Sequence, residues 1–200
     1  MTKFLRKGQV PILLANAVGL FVFTCLFFAQ KNYEFVIYVA VIVLFLAIIL
    51  ATNKKVQYNN TILWGLTIWA LMHMVGGGLF FGGTKLYEII LLPVVGEPFN
   101  IFKYDQLVHA IGFGVATLLM FHLIRPLLPK NNRKWIALSI VIVMAGLGVG
   151  ALNEILEFAV TVVAPSTGVG GYENTALDLV FNLLGAIIAM FFILKTEKNA

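Results

Sequence analysis

Long apolar runs, broken at regular intervals by short polar stretches, dominate the chain. Runs at 10–29, 35–51, 62–81, 104–123, 135–163 and 177–194 each approach or exceed the ~20 residues an α-helix needs to cross ~30 Å of hydrocarbon. The pattern predicts an all-α, polytopic helical bundle with six transmembrane helices, forming a single membrane domain over 1–200. The stretch 82–103 does not fit. Its apolar run, Ile89 to Val95, is interrupted by Pro93 and followed by Gly96, Glu97 and Pro98. It is too short to span and is expected to be interfacial or re-entrant. The fifth run is long and glycine-rich, so it is expected either to tilt or to break near Gly146, Gly148 and Gly150. The stretch 164–176 reads as a loop rich in Pro, Gly, Ser and Thr, and places Tyr172 and Glu173 where they would cover a pocket.

Composition strengthens this picture. Sixty per cent of residues are hydrophobic and 12% charged, and the mean hydropathy is +0.96; that excludes a soluble domain. The first run lacks a small-residue cleavage site and reads as an uncleaved helix. The net charge of +5 comes from short loops, so it is no nucleic-acid patch, and the lone Cys25 excludes an intrachain disulfide framework. With the N-terminus inside, eleven of the fourteen basic residues (Lys3, Arg6, Lys7, Lys54, Lys55, Arg125, Lys130, Arg133, Lys134, Lys195, Lys198) fall in cytoplasmic segments. Only Lys31, Lys85 and Lys103 fall outside. This bias predicts six spans with both termini in the cytoplasm.

Against this background the polar residues inside the spans stand out, because a carboxylate at membrane depth must pair, protonate or bind something. In the expected topology His73, Asp105, His109, Glu154, Glu157, Asp178 and Asn182 all fall in the outer part of four helices. Asp105 and His109 are four apart and so share a face, as do Asp178 and Asn182; Glu154 and Glu157 are three apart. Gly112 and Gly185 continue two of these stripes and would let helices approach closely. The expectation is an outward-facing Asp/His/Glu pocket.

Its donors suit a divalent metal ion, with Asp105, His109, Glu154 and His73 as candidate ligands. Glu154, Glu157 and His109 are candidate catalytic groups, with Glu154 or Glu157 as general base. Asp178 and Asn182 are candidate substrate-binding residues. Simpler roles compete: Asp105 and Asp178 each begin a predicted helix and suit capping, His73 suits hydrogen-bonded packing, and Asn182 suits interhelical bonding. Trp64, Trp69 and Trp135 suit packing and interfacial anchoring. The glycine runs lie inside spans, so they are not nucleotide loops.

The ordered set YDQLVHAIGF, NEILEF and LDLVFNLLGA, from Tyr104 to Ala186, resembles the VanZ-like proteins and, in size and layout, the YjdF-type family of bacterial inner-membrane proteins. The resemblance implies a small multi-pass protein of the bacterial cytoplasmic (inner) membrane, with shared polar positions at Asp105, His109, Glu154, Asp178 and Asn182. The chain departs from the VanZ-like pattern in carrying Glu157 where Gln is usual, and in lacking Arg within GVGGYENTAL. Three functional classes follow for a protein whose partner is the lipid bilayer. The first is metal-assisted chemistry on a lipid-linked or envelope substrate. The second is a proton-coupled transporter or lipid flippase using Glu154 and Glu157, and the third a structural or assembly protein.

Overall fold

The computed structural model describes residues 5–129, 134–164, 168 and 170–198; the expectations for Lys3, Lys130 and Arg133, and for the Lys198 side chain, lie outside the described residues. Six helices carry the fold: α1 (Gln9–Ala29), α2 (Tyr33–Val56), α3 (Asn60–Gly78), α4 (Tyr104–Ile124), α5 (Trp135–Val163) and α6 (Tyr172–Lys198). All six are long and apolar enough to cross a membrane. Their outward faces are apolar, as at Phe21, Ile155 and Phe191. Hydrocarbon solvates such side chains, while each helix satisfies its own backbone.

The helix ends differ from the sequence expectation in instructive ways. α2 runs past 51 to Val56, keeping Lys54 and Lys55 in its last turn, where cations meet the negative end of the helix dipole. α6 begins at Tyr172 rather than 177, so Tyr172 and Glu173 are its first turn and not a covering loop. Tyr172 is largely exposed. α5 is one continuous helix through Gly146, Gly148 and Gly150. Of the expected tilt or break, the break is absent; Gly146 and Gly150 answer to packing, as described below.

The stretch between α3 and α4 is β-structure. Strand β1 (Phe80–Phe81) pairs antiparallel with β2 (Thr84–Lys85), and Gly82 and Gly83 make the turn with positive φ of 59° and 86°, which glycine adopts without a Cβ clash. A second antiparallel ribbon joins β3 (Ile90–Val95) to β4 (Ile101–Lys103). An open two-stranded ribbon leaves backbone groups unpaired at its edges, and hydrocarbon cannot satisfy them. Of the two expectations for this stretch, the interfacial one fits that chemistry and the re-entrant one does not.

The chain divides into two compact units. The first contains α1 to α3, the β1–β2 turn and residues 159–168. Its helices are locked by buried polar pairs. Asn16 Nδ2 donates to Thr67 Oγ1 at 2.7 Å, and the Gln9 and Asn53 amides exchange bonds of 2.8 and 3.3 Å. The last carbonyls of α3 have no intrahelical donor; Gln30 Nε2 donates to Gly78 O at 3.0 Å and Asn32 Nδ2 to Gly77 O at 3.3 Å.

The second unit holds β3, β4, α4, α5 up to Phe158, and α6. Here α4 and α6 meet backbone to backbone: a Cβ on Gly185 would collide with the Ala110 carbonyl, and one on Gly114 would lie 3.2 Å from the Gly185 oxygen. On α5, Gly146 lies against Thr117 and Gly150 against Asn182, each leaving no room for a methyl group. Small residues of this kind let apolar helices pack closely where no hydrophobic effect drives them together. Phe121, Ile142, Met190 and Ile193 form a buried cluster from the three helices.

Candidate metal centre

The polar residues of α4, α5 and α6 converge at the end of the second unit where α4 begins. The first turn of α4 explains how Asp105 is released to join them. Gln106, not Asp105, folds back on the segment that leads into the helix: its Oε1 accepts from the N–H groups of Phe102 and Lys103 at 2.5 and 3.0 Å. Capping also fails to account for Asp178, which lies well inside α6.

His109 is the hub. It is buried, and its Nδ1 lies 3.0 Å from Asn182 Oδ1. An amide oxygen only accepts, so in this arrangement Nδ1 carries a proton and donates to it. Nε2 faces Asp105 Oδ1 at 3.6 Å. On the other side, Glu154 Oε1 is 3.6 Å from Nδ1.

Asn174, one turn before Asp178, organises the two aspartates. Its Nδ2 donates to Asp178 Oδ2 at 2.6 Å and reaches Asp105 Oδ2 at 3.5 Å. Each aspartate is thus oriented through one oxygen, which leaves the other directed elsewhere. Asp178 and Asn182 are completely buried. Asp178 Oδ1, both carboxylate oxygens of Glu154 and Asn182 Nδ2 are buried and have no hydrogen-bond partner among the described residues. Glu157 lies at the side, accepting from Asn153 Nδ2 at 2.7 Å.

Ligand atoms from Asp105, His109 and Asp178 lie within 4.8 Å of one another, and so do those of His109, Glu154 and Glu157. A set of carboxylates around one imidazole suits Mn²⁺, Fe²⁺ or Zn²⁺. The imidazole's second nitrogen, bonded to Asn182, has the outer partner that metal-bound histidines require.

Of the sequence candidates, Asp105, His109, Glu154, Glu157, Asp178 and Asn182 are brought together. His73 is placed differently. It belongs to the first unit, where its Nδ1 bonds the Tyr87 hydroxyl and its ring packs against Phe35, Tyr38 and Trp69. It joins neither ligand group among the described residues. Asn174 was missed. It sits four residues before Asp178, a spacing that puts both on one helix face, but it lies in a glycine-rich stretch read as loop.

Six helices long and apolar enough to cross a membrane, three of them carrying a buried cluster of acids and a histidine, define a multi-pass membrane protein. Over residues 11–199 the chain matches the family described as "Predicted membrane protein (DUF2238)", and it belongs to that family. It is also similar to an uncharacterized protein of Thermotoga maritima, 33% identical over 113 residues, which cover 51% of this chain and 57% of the relative. No solved structure matches the chain.

Proposed function

We propose that Asp105, His109 and Asp178 hold a divalent metal ion and that the site performs metal-assisted chemistry on a lipid-linked or envelope substrate of the bacterial inner membrane. The observation that carries this reading is the set of lone pairs left unsatisfied inside the protein. Asp178 Oδ1 and both Glu154 oxygens are buried without a hydrogen-bond partner among the described residues, and Nε2 of His109 faces Asp105 Oδ1. Buried acceptors aimed at one another are costly unless a cation lies among them or one of the carboxylates holds a proton. When bound, a metal would polarise a phosphoryl or carbonyl oxygen or activate water.

The chain's own residues supply the rest. Asn182 fixes the ring of His109, Asn174 orients both aspartates, and Glu154 offers a buried carboxylate beside the ring, placed to take a proton. Glu157 and its partner Asn153 flank Glu154. The resemblance to VanZ-like and YjdF-type proteins supports the same polar set and an inner-membrane setting. The transport reading rests on Glu154 and Glu157; α5 is continuous, so no broken helix adds to it.

Plasma mass spectrometry of gently solubilised protein tests the proposal. Wild type should carry near-stoichiometric metal, and Asp178→Asn and His109→Ala should lose it while remaining folded by circular dichroism. Wild type without metal, even after incubation with Mn²⁺, Fe²⁺ or Zn²⁺, would remove the metal reading. Proton transport in liposomes, with Glu154→Gln as the variant, would then be measured.

A further inference from the structure

The β3–β4 ribbon presents a surface that neither water nor the hydrocarbon core suits. Strand β3 reads Ile-Leu-Leu-Pro-Val-Val and has no polar side chain on either face, yet all six residues are exposed. Phe99, in the turn, is exposed as well. A solvated strand alternates apolar and polar residues, and this one does not. The backbone argues the other way, because the ribbon's free edges carry N–H and C=O groups that hydrocarbon leaves unsatisfied.

The ribbon is also fixed close to the bilayer. β4 runs directly into Tyr104, the first residue of the membrane-crossing α4, and Phe102 stacks on Phe181 of α6 with ring centroids 5.8 Å apart. Six strand residues extend about 20 Å at roughly 3.3 Å each. Projecting that length away from the membrane would leave the whole apolar strand in water. Apart from Lys103 at the end of β4, the ribbon's polar side chains lie in the turn, where Asn100 Nδ2 donates to Glu97 Oε1 at 2.8 Å.

We infer that the β3–β4 ribbon lies along the lipid interface, its side chains among headgroups and upper acyl chains and its edges bonded to water and headgroup oxygens. The occupant of this surface is lipid. The consequence for the site rests on the metal reading above. Because the ribbon leads directly into the turn that carries Asp105, the metal centre sits near headgroup depth, and an amphiphilic substrate reaches it laterally from the bilayer.

The test uses full-length protein in phosphatidylcholine/phosphatidylglycerol vesicles. Cys25, the single native cysteine, is replaced by serine, and an environment-sensitive fluorophore is attached at Leu92→Cys, Val94→Cys or Glu97→Cys. Labels at 92 and 94 should emit to the blue of the label at 97. They should be several-fold less open to aqueous iodide and quenched by a nitroxide lipid carrying its spin near the headgroup. Equal iodide quenching at all three positions, with no effect of the nitroxide lipid, would overturn the inference. So would blue-shifted labels shielded from both quenchers, which would mean protein covers the ribbon. Metal content measured on the same labelled proteins separates the two proposals: lipid-contacting labels on metal-free wild-type ligands would sink only the metal reading.

Discussion

Asp105 and Gln106 are neighbours in the first turn of α4 with opposite assignments. A carboxylate at a helix start invites the capping role, but the longer Gln106 side chain reaches back to two N–H groups and leaves Asp105 to face His109. The two positions should separate cleanly on substitution. Gln106→Ala should lower stability by about 1 kcal/mol, the usual cost of a lost cap, and leave metal content unchanged. Asp105→Asn should abolish metal binding with a smaller effect on thermal unfolding. A Gln106→Ala protein that loses metal at unchanged stability would contradict this division of roles. His73→Phe offers a second contrast. Its ring is surrounded by Phe35, Tyr38 and Trp69, so the variant should keep its metal while losing the Tyr87 bond. The pairs Asp105/His109 and Asp178/Asn182 were legible in the sequence because an i,i+4 spacing survives any small error in a helix boundary. Asn174 was not legible, since its role depends on α6 starting at Tyr172, and Gly170 and Gly171 just before it conceal that start.

At the scale of elements, glycine carries information that hydropathy does not. The apolar runs located all six helices, but they say nothing about which helix faces meet. Gly185 against Ala110, and Gly150 against Asn182, set the spacing of the helices that carry the site. A glycine-rich stretch in a long span reads equally as a hinge or as a contact, and in α5 it is a contact. Adding one methyl group distinguishes the positions. Gly185→Ala forces a Cβ into the Ala110 carbonyl and should destabilise the protein by about 1–3 kcal/mol, the usual range for overpacking, and lower its metal content as α4 and α6 separate. Gly148→Ala meets nothing within 4 Å and should change neither. Thermal unfolding and metal analysis on the pair decide the matter; equal damage from both would mean that glycine matters there for helix flexibility rather than for space. The β3–β4 ribbon escaped the sequence reading for a related reason. Its continuous apolar run has neither the period of 2 of a half-buried strand nor the length of a span, so only the β-branched residues and the turn GEPFN hinted at it.

For the whole molecule, the decisive quantity is which side of the membrane each end occupies, and it follows from charge rather than packing. The six-span reading of the sequence assigns eleven of fourteen basic residues to one side, and such a bias orients short-looped membrane proteins with their positive loops in the cytoplasm. Arg125, paired with Glu197 Oε1 at 2.7 Å, lies at one end of the second unit, and the candidate metal centre lies at the other. The expected orientation therefore has both termini inside and residues 79–103 outside, placing the site at the outer leaflet. Fluorescent and alkaline phosphatase reporters at the C-terminus, with cysteine labelling at Glu97→Cys in intact cells, measure this directly. A fluorescent C-terminal fusion, an inactive phosphatase fusion and a labelled residue 97 are the expected results. The opposite pattern would leave the fold, the cluster and its donor atoms as they are, but would open the centre to the cytoplasmic leaflet. The substrate would then be sought among lipids and precursors available on that face, because a buried site at the end of a helical bundle meets only the leaflet into which that end projects.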